Sequence, residues 1–325
     1  MKIILIRKGA RKIMKNFKKL FLSAALIAGG AIGLAQNPST VRADYVPEKL
    51  SVQFVPSSNA ESIESKAKPL EKLLKKELGV PVKVSVSTDY NTIVEAMGSK
   101  QVDVGFLPPD AYVLAHKQYN AKVLLQALRY DVKNNKSDEL DKSKLVDFYR
   151  SQIVVRKDSG IKSLKDLKGK KIAVQDTTST SGWIYPAVSM YKQGININDK
   201  KNKIKTVVVK GHDQGVISVL NKNTDAAFVF QGATRLVKKD TPDINDKVVP
   251  IYTTTKIPND TVTVRGDMSP KWQKKIQKAF KDIAKTKEGH KVISSLYSHE
   301  GYTDSKDSNF NILRQYDKTA EKLDK

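Results

Sequence analysis

KIAVQDTTSTSGWIYPAVSMYK, residues 171–192, decides how the rest of the chain is read. Lys171 to Val174 is a short apolar run bounded by polar residues, which predicts a buried strand. Trp183 to Lys192 predicts a helix, with Pro186 tolerable near its first turn, where a missing N–H costs little. Between strand and helix stand Thr177, Thr178, Ser179, Thr180 and Ser181, followed by Gly182. A helix start offers unpaired N–H groups and about half a positive charge. Consecutive hydroxyls add donors that rotate to suit tetrahedral oxygens, and a glycine lets the backbone approach closely. Ordinary N-capping needs a single hydroxyl, so a run of five is a candidate anion site.

Outward from this turn, the same strand–helix order repeats on both sides. Upstream, the pattern predicts a strand over Leu50 to Val55, a helix over Ala60 to Leu78 stopped by Gly79, and a strand over Val82 to Val86. A short helix follows over Asn91 to Met97, then a strand over Val102 to Leu107 running into Pro109 and a helix to Lys117, then a strand over Lys122 to Leu128. The polar stretch 133–144 reads as a surface loop. Downstream, strands are predicted over Ser151 to Arg156, Ile204 to Val209 and Ala226 to Phe230, with a helix over Gln214 to Leu220. Val248 to Thr254 reads as a return crossing, and the chain ends in helices over 271–285, 288–296 and 310–323. Such β-α-β order is an α/β fold with a mostly parallel sheet in each of two lobes. The expected division is a leader over residues 1–43, lobe 1 over 44–152 plus 251–325, and lobe 2 over 153–250. Ligands of open α/β sheets sit at the carboxyl ends of strands, so the cleft between the lobes is the expected site.

Other strand-to-helix turns add candidates. Tyr112 stands near the helix start in Leu107-Pro108-Pro109-Asp110-Ala111-Tyr112, where packing on a neighbouring helix competes with ligand contact. His212, in Gly211-His212-Asp213, could meet an oxyanion as a cation or as a neutral donor. Tyr90 could donate its phenol, Gln231 could supply an amide after the strand ending at Phe230, and Ser58 and Asn59 follow the first strand. Turn residues of these types are common, so each signal is weak by itself.

Composition narrows the chemistry. There is no cysteine, hence no disulfide, thiolate metal site, cysteine nucleophile or lipid-bearing N-terminal cysteine. The four histidines lack metal-ligand spacing, and neither a metal nor a cofactor is expected. Lys15, Lys18 and Lys19 precede the apolar run Leu20 to Leu34, and Val41-Arg42-Ala43 resembles a cleavage site, so a secretory leader cut after Ala43 is expected. The run is shorter than the roughly 20 residues that cross a bilayer. Without the leader's basic residues the count falls from 58 basic to 49 against 34 acidic, a net +15. Lysines spread along the whole chain rather than clustered with aromatics argue for a solvated basic surface and against a nucleic-acid binder.

Thr88-Asp89-Tyr90, Val102-Asp103-Val104-Gly105-Phe106-Leu107, Ala111-Tyr112, Ser179-Thr180-Ser181-Gly182, Gly211-His212-Asp213 and Ile257-Pro258-Asn259-Asp260 occur in this order. Together they resemble the phosphate/phosphite/phosphonate-binding proteins of ABC importers. Ser163 to Ala173 resembles the opening of the second lobe in the type II periplasmic-binding-protein fold. The resemblance implies that Ser179, Thr180 and Ser181 hold phosphorus oxygens, that His212 contacts the same group and that Tyr90 closes it from the first lobe. It also implies an acidic residue near the end of the strand at Phe230, where Gln231 stands instead. A neutral amide there compensates an ammonium poorly, which weakens the case for an aminoalkylphosphonate. The implied partners are a small phosphorus oxyanion and a membrane permease, with the protein a monomer and not an enzyme. A binding protein for a sulfonate or sulfate is the alternative. A hydrolase is a poorer reading, because no Gly-x-Ser-x-Gly elbow is present and adjacent His212 and Asp213 point apart.

Overall fold

The computed structural model describes residues 44–134 and 139–324; the leader expected over residues 1–43 lies outside them. The chain opens with β1 (Leu50–Phe54), α1 (Ala60–Ala67), α2 (Pro69–Leu78), β2 (Val82–Val86), α3 (Tyr90–Gly98), β3 (Val104–Leu107), α4 (Pro109–Tyr119) and β4 (Lys122–Val132). The helix expected over 60–78 is divided at Lys68, because Pro69 has no N–H with which to continue the ladder. Gly79 ends it in the left-handed region at φ 71°, where a glycine carries no Cβ penalty.

β5 (Leu140–Val146) and β6 (Phe148–Tyr149) lead to the second unit: β7 (Ser151–Arg156), β8 (Lys171–Val174), α5 (Tyr185–Lys192), β9 (Lys205–Val208), α6 (His212–Leu220), β10 (Ala226–Phe230), α7 (Ile244–Lys247) and β11 (Val248–Thr253). The chain then returns through β12 (Ile257–Pro258), β13 (Thr261–Val264), α8 (Pro270–Lys285), α9 (Lys287–Tyr297), β14 (Gly301–Asp304) and α10 (Asn311–Ala320). Three expectations are corrected here. The sheets are mixed rather than mostly parallel: β13 and β14 in the first sheet and β7 in the second pair antiparallel with all their neighbours, because they are reached by crossings or hairpin-like returns instead of β-α-β units. The stretch read as a loop over 133–144 contains the start of β5, which pairs antiparallel with the end of β4. Of the residues read as the return crossing, 248–254, the first six form β11, which pairs with β7 inside the second sheet.

The first sheet has the order β14-β4-β13-β3-β1-β2, with β5 attached to β4. β2, β1 and β3 pair in parallel, as alternating strands and helices require. β13 enters between β3 and β4 antiparallel to both, bringing Asp260 from the returning chain to the carboxyl end of β3. The second sheet has the order β11-β7-β10-β8-β9. Its strands bury both faces: Ile153, Val155, Ile172 and Val174 meet one core, Val154, Ala173, Ala227 and Val229 the other. β6 and β12, which flank the second sheet in sequence, pair with each other, Tyr149 opposite Ile257. The two crossings between the lobes therefore run side by side and place Tyr149 at the join.

Phe106 anchors the first lobe. Its ring stacks on Phe54 at 4.2 Å and meets Phe280 edge-on at 5.4 Å. Truncating a buried phenylalanine in such a core costs about 3–5 kcal/mol. Phe106→Ala is therefore expected to lower the unfolding free energy by about that amount in a denaturant titration. A loss below about 1 kcal/mol would show that the stack is not part of the cooperative core.

Candidate anion-binding cleft

The hydroxyl turn is built by a few specific contacts. The Ser179 Oγ accepts from the Gly182 N–H at 3.2 Å. The Tyr185 N–H reaches back to the Thr180 carbonyl, a π-type spacing that widens the turn before α5 begins. Gln175 holds it from behind. Its backbone N–H donates to the Gly182 carbonyl at 3.0 Å, its Nε2 donates to the Gly211 carbonyl at 3.0 Å, and its Oε1 accepts from the Gly211 N–H at 3.1 Å. One side chain thus fixes the spacing between the hydroxyl turn and the His212 turn. It also explains Gly182, where a Cβ would lie 2.2 Å from Gln175 Cγ; the glycine makes room for the glutamine. Gly211 has φ 100°, and a Cβ there would stand 3.0 Å from the Ser58 backbone of the opposite lobe.

Polar bonds join the lobes around this turn. The Tyr90 N–H donates to Asp176 Oδ2 at 3.1 Å, Thr178 Oγ1 donates to Asn91 Oδ1 at 3.2 Å, and the His212 N–H donates to the Ser57 carbonyl at 2.9 Å. They enclose a cavity of about 60 Å³ lined by Tyr90, Arg129, Tyr149, Ser179, Ser181, His212 and Asp260 among its polar groups. One water needs roughly 10–15 Å³ on the same measure, so the closed cleft admits a ligand of a few heavy atoms.

Burial governs the ionisation of the lining. The His212 imidazole is pushed down to about 4 by loss of solvent, with only Asp260 opposing, so it is neutral at physiological pH. Its Nδ1 is buried without a partner among the described residues, and its ring lies edge-on to Phe230 at 5.0 Å. Burial raises the Tyr90 phenol well above its ordinary range; Asp260 adds to the rise and neighbouring Ser179 opposes it. Burial raises Tyr149 as well, Asp260 adding to it while Arg129 and Ser181 oppose. All three are therefore neutral groups that can donate to an oxyanion. The fixed charges are Arg129 and Asp260. Arg129 Nη2 stands 3.3 Å from Asp260 Oδ2, the guanidinium lies over the Tyr149 ring at 4.8 Å, and its Nε is buried and unpartnered among the described residues. His299 Nε2 backs the same Asp260 oxygen at 3.5 Å.

Of the residues singled out in the sequence, Ser58, Tyr90, Ser179, Ser181 and His212 come together in the cavity, whereas Asn59 caps α1 by accepting from the Ser62 N–H. Thr180 does not face it: its Oγ1 accepts the Asp110 N–H at 3.1 Å behind the turn. Tyr112 lies in the core, its hydroxyl donating to Asp307 Oδ1 at 2.8 Å and its ring edge-on to Phe310 at 4.8 Å. Its position on α4 turns it away from the cleft, and the packing role holds. Gln231 lines an adjoining space of about 40 Å³ beyond Arg129 and Tyr149. The carboxylate in the cleft is Asp260, next to β13, rather than a residue at the end of β10. Arg129, Tyr149 and Asp260 were not read as site residues. Arg129 closes the run Leu124 to Leu128 on one strand, a charge where burial would continue, and that was the available signal.

Comparison with known proteins gives the family. Residues 52–310 match the family described as ABC transporter, phosphonate, periplasmic substrate-binding protein. A phosphate-import protein of Mycolicibacterium smegmatis is 29% identical over 211 residues, 63% of this chain and 62% of that protein, so the match spans less than two thirds of that relative. A phosphonates-binding periplasmic protein of Escherichia coli is 24% identical over 278 residues, 84% of this chain and 77% of that one. The fold is shared with a solved structure of a Prochlorococcus marinus protein in complex with methylphosphonate, TM-score 0.72 at 18% identity, covering 85% of this chain and all of that one. With the family matched across most of its length, the chain belongs to the periplasmic substrate-binding proteins of phosphonate ABC transporters.

Proposed function

We propose that the protein captures a small phosphorus oxyanion (a phosphonate, phosphite or phosphate) between its lobes and presents it to an ABC permease, breaking no bond in it. The observation that carries this reading is the pairing of a hydroxyl turn with a carboxylate in one small cavity. Ser179, Ser181, Tyr90, Tyr149 and neutral His212 can all donate, and Arg129 supplies charge. Asp260 can only accept. A ligand that carries a proton on one oxygen, or an ammonium on a short tail, satisfies it; sulfate carries neither and leaves like charges face to face. The cavity of about 60 Å³ favours an anion of phosphate or methylphosphonate size.

We place the lobes at residues 44–150 with 255–325, and 151–254, because β11 completes the second sheet and β6 and β12 make the crossings. The reading includes action as a monomer outside the cytoplasm, after removal of residues 1–43, with the net +15 surface attracting anionic wall polymers weakly and in a salt-screened way.

Titration calorimetry of residues 44–325, stripped of carried-over ligand by unfolding and refolding, tests the function. The panel is phosphate, phosphite, hypophosphite, methylphosphonate, 2-aminoethylphosphonate and sulfate. The expected result is micromolar or tighter binding of one phosphorus anion, with sulfate at least about a hundredfold weaker. Preference for sulfate, or silence across the panel from a folded protein, would overturn the phosphorus reading.

A further inference from the structure

Behind the hydroxyl turn, on the side away from the cavity, lies a carboxyl pair. Asp110, in the first turn of α4, is 4% exposed, and its N–H holds Thr180 Oγ1. Neither of its carboxyl oxygens meets a hydrogen-bond donor among the described residues. α10 packs on α4, and its half-buried Asp317, another acceptor, acts on Asp110 by charge. Beside them the Tyr185 hydroxyl is buried and likewise unpartnered. Adjoining carboxylates cannot both stay ionised in a water-poor interior, and one shared proton supplies the donor that the described surroundings do not.

The neighbours agree. Burial, then the charge of Asp317, raises Asp110 well above the usual carboxylate range, with Thr180 opposing. Burial pushes Asp317 up to about 6, with Lys117 and Arg314 lowering it and Glu321 adding to the rise. Tyr185 stacks on Tyr316 at 3.9 Å, and Lys192 sits over the Tyr316 ring. The Tyr185 phenol is raised by burial and then by Asp110, and Tyr149 across the turn also feels Asp110.

We propose that Asp110 tunes the anion site from behind: its backbone N–H holds Thr180 whatever its charge, and its carboxyl, an uncharged acid sharing one proton with Asp317, keeps negative charge away from Ser179 and Ser181, so that capture of the anion favours uptake of a proton. The proposal rests on the reading of the cleft as a phosphorus-oxyanion site. An ionised carboxylate directly behind the turn would repel the ligand across a water-poor interior. A bound anion therefore favours the protonated pair, and by reciprocity the protonated pair favours the anion. Groups raised in this way hold their proton at low pH and lose it as pH rises through the raised value. The pair's help to binding is thus full on the acid side and falls as pH climbs, by up to about tenfold in affinity per pH unit for one coupled proton.

The test is calorimetry with phosphate and with methylphosphonate from about pH 6 to about pH 9, in buffers of differing ionisation enthalpy so that protons are counted. Wild type is compared with Asp110→Asn, whose amide donates permanently to Asp317 and cannot ionise. The ligand's own ionisation is common to both proteins and cancels. The expected result is a Kd that rises with pH less steeply in the variant, by up to about tenfold per unit, and a proton uptake smaller by up to about one. Melting temperatures of the free proteins confirm that both are folded. Superimposable pH profiles and proton counts would overturn the proposal. If neither anion binds wild type, the functional reading has failed instead. The pair is then judged by infrared difference spectra at neutral pH, where a protonated-carboxyl band present in wild type and absent in Asp110→Asn supports the shared proton and its absence from both sinks it.

Discussion

Replacing Ser179 and Ser181 together with alanine is expected to weaken capture of the phosphorus anion by about 10²–10⁴-fold. Both hydroxyls line the cavity and both residues are nearly inaccessible to solvent, 2% and 4% exposed, so water cannot substitute for them freely. A hydrogen bond to a charged group contributes about 1.5–3 kcal/mol, and two such bonds sum to about 3–6 kcal/mol, the stated range in Kd. Part of the effect could come through the fold, since Ser179 also caps the Gly182 N–H, a loss of about 1 kcal/mol in stability. The remaining frame of the turn does not depend on these hydroxyls: Gln175 clamps it to Gly211, and Thr180 is held by Asp110. Calorimetry beside a melting curve separates the two contributions. A variant that melts close to wild type and binds within about threefold of it would remove the hydroxyl turn from the site.

Much of the frame was readable because burial writes itself into sequence. Ser151–Arg156, Lys171–Val174 and Ala226–Phe230 are strands with both faces covered, hence continuous apolar runs that start and stop where they were expected. β5 was missed for the opposite reason: most of its residues are exposed or half-exposed, and Asp141-Lys142-Ser143-Lys144 carries no apolar alternation. β11 is read as a crossing because it is an edge strand whose residues are mostly half-buried, which leaves no sign in the sequence of the sheet it joins. The candidate site divides along the same line. Its donors at strand-to-helix turns, Ser179, Ser181, His212 and Tyr90, follow from local rules about helix starts. Arg129 and Asp260 meet only because β13 returns from the far end of the chain to lie between β3 and β4. The charge that closes the run at Arg129 marks that residue but not its partner 131 residues away, so the pairing in the charged half of the cleft is a tertiary product.

The charged half is also where the second large effect is expected. Arg129→Met keeps most of the side chain's length and its packing over Tyr149 while deleting the charge. It strands Asp260 in the cavity with no cation at 3.3 Å and only the buried His299 imidazole beside it, which burial keeps neutral at physiological pH. Truncating one partner of a buried charge pair costs about 2–5 kcal/mol, much of it the penalty on the charge left behind. Here that stranded charge also faces an incoming anion, so affinity is expected to fall by at least about 30-fold, beyond a drop of a few degrees in the melting of the free protein. Asp260→Asn should act differently. It removes the group that demands a proton from the ligand, so phosphorus anions weaken modestly while sulfate, repelled in wild type, gains. In Arg129→Met with Asp260→Asn, no uncompensated carboxylate remains, and the double variant should bind phosphorus anions better than Arg129→Met alone. The coupling in such a cycle for residues in contact is about 0.5–3 kcal/mol. Additive losses, with sulfate still excluded after Asp260→Asn, would mean that the pair only supports the lobe and that selection resides in the hydroxyl turn.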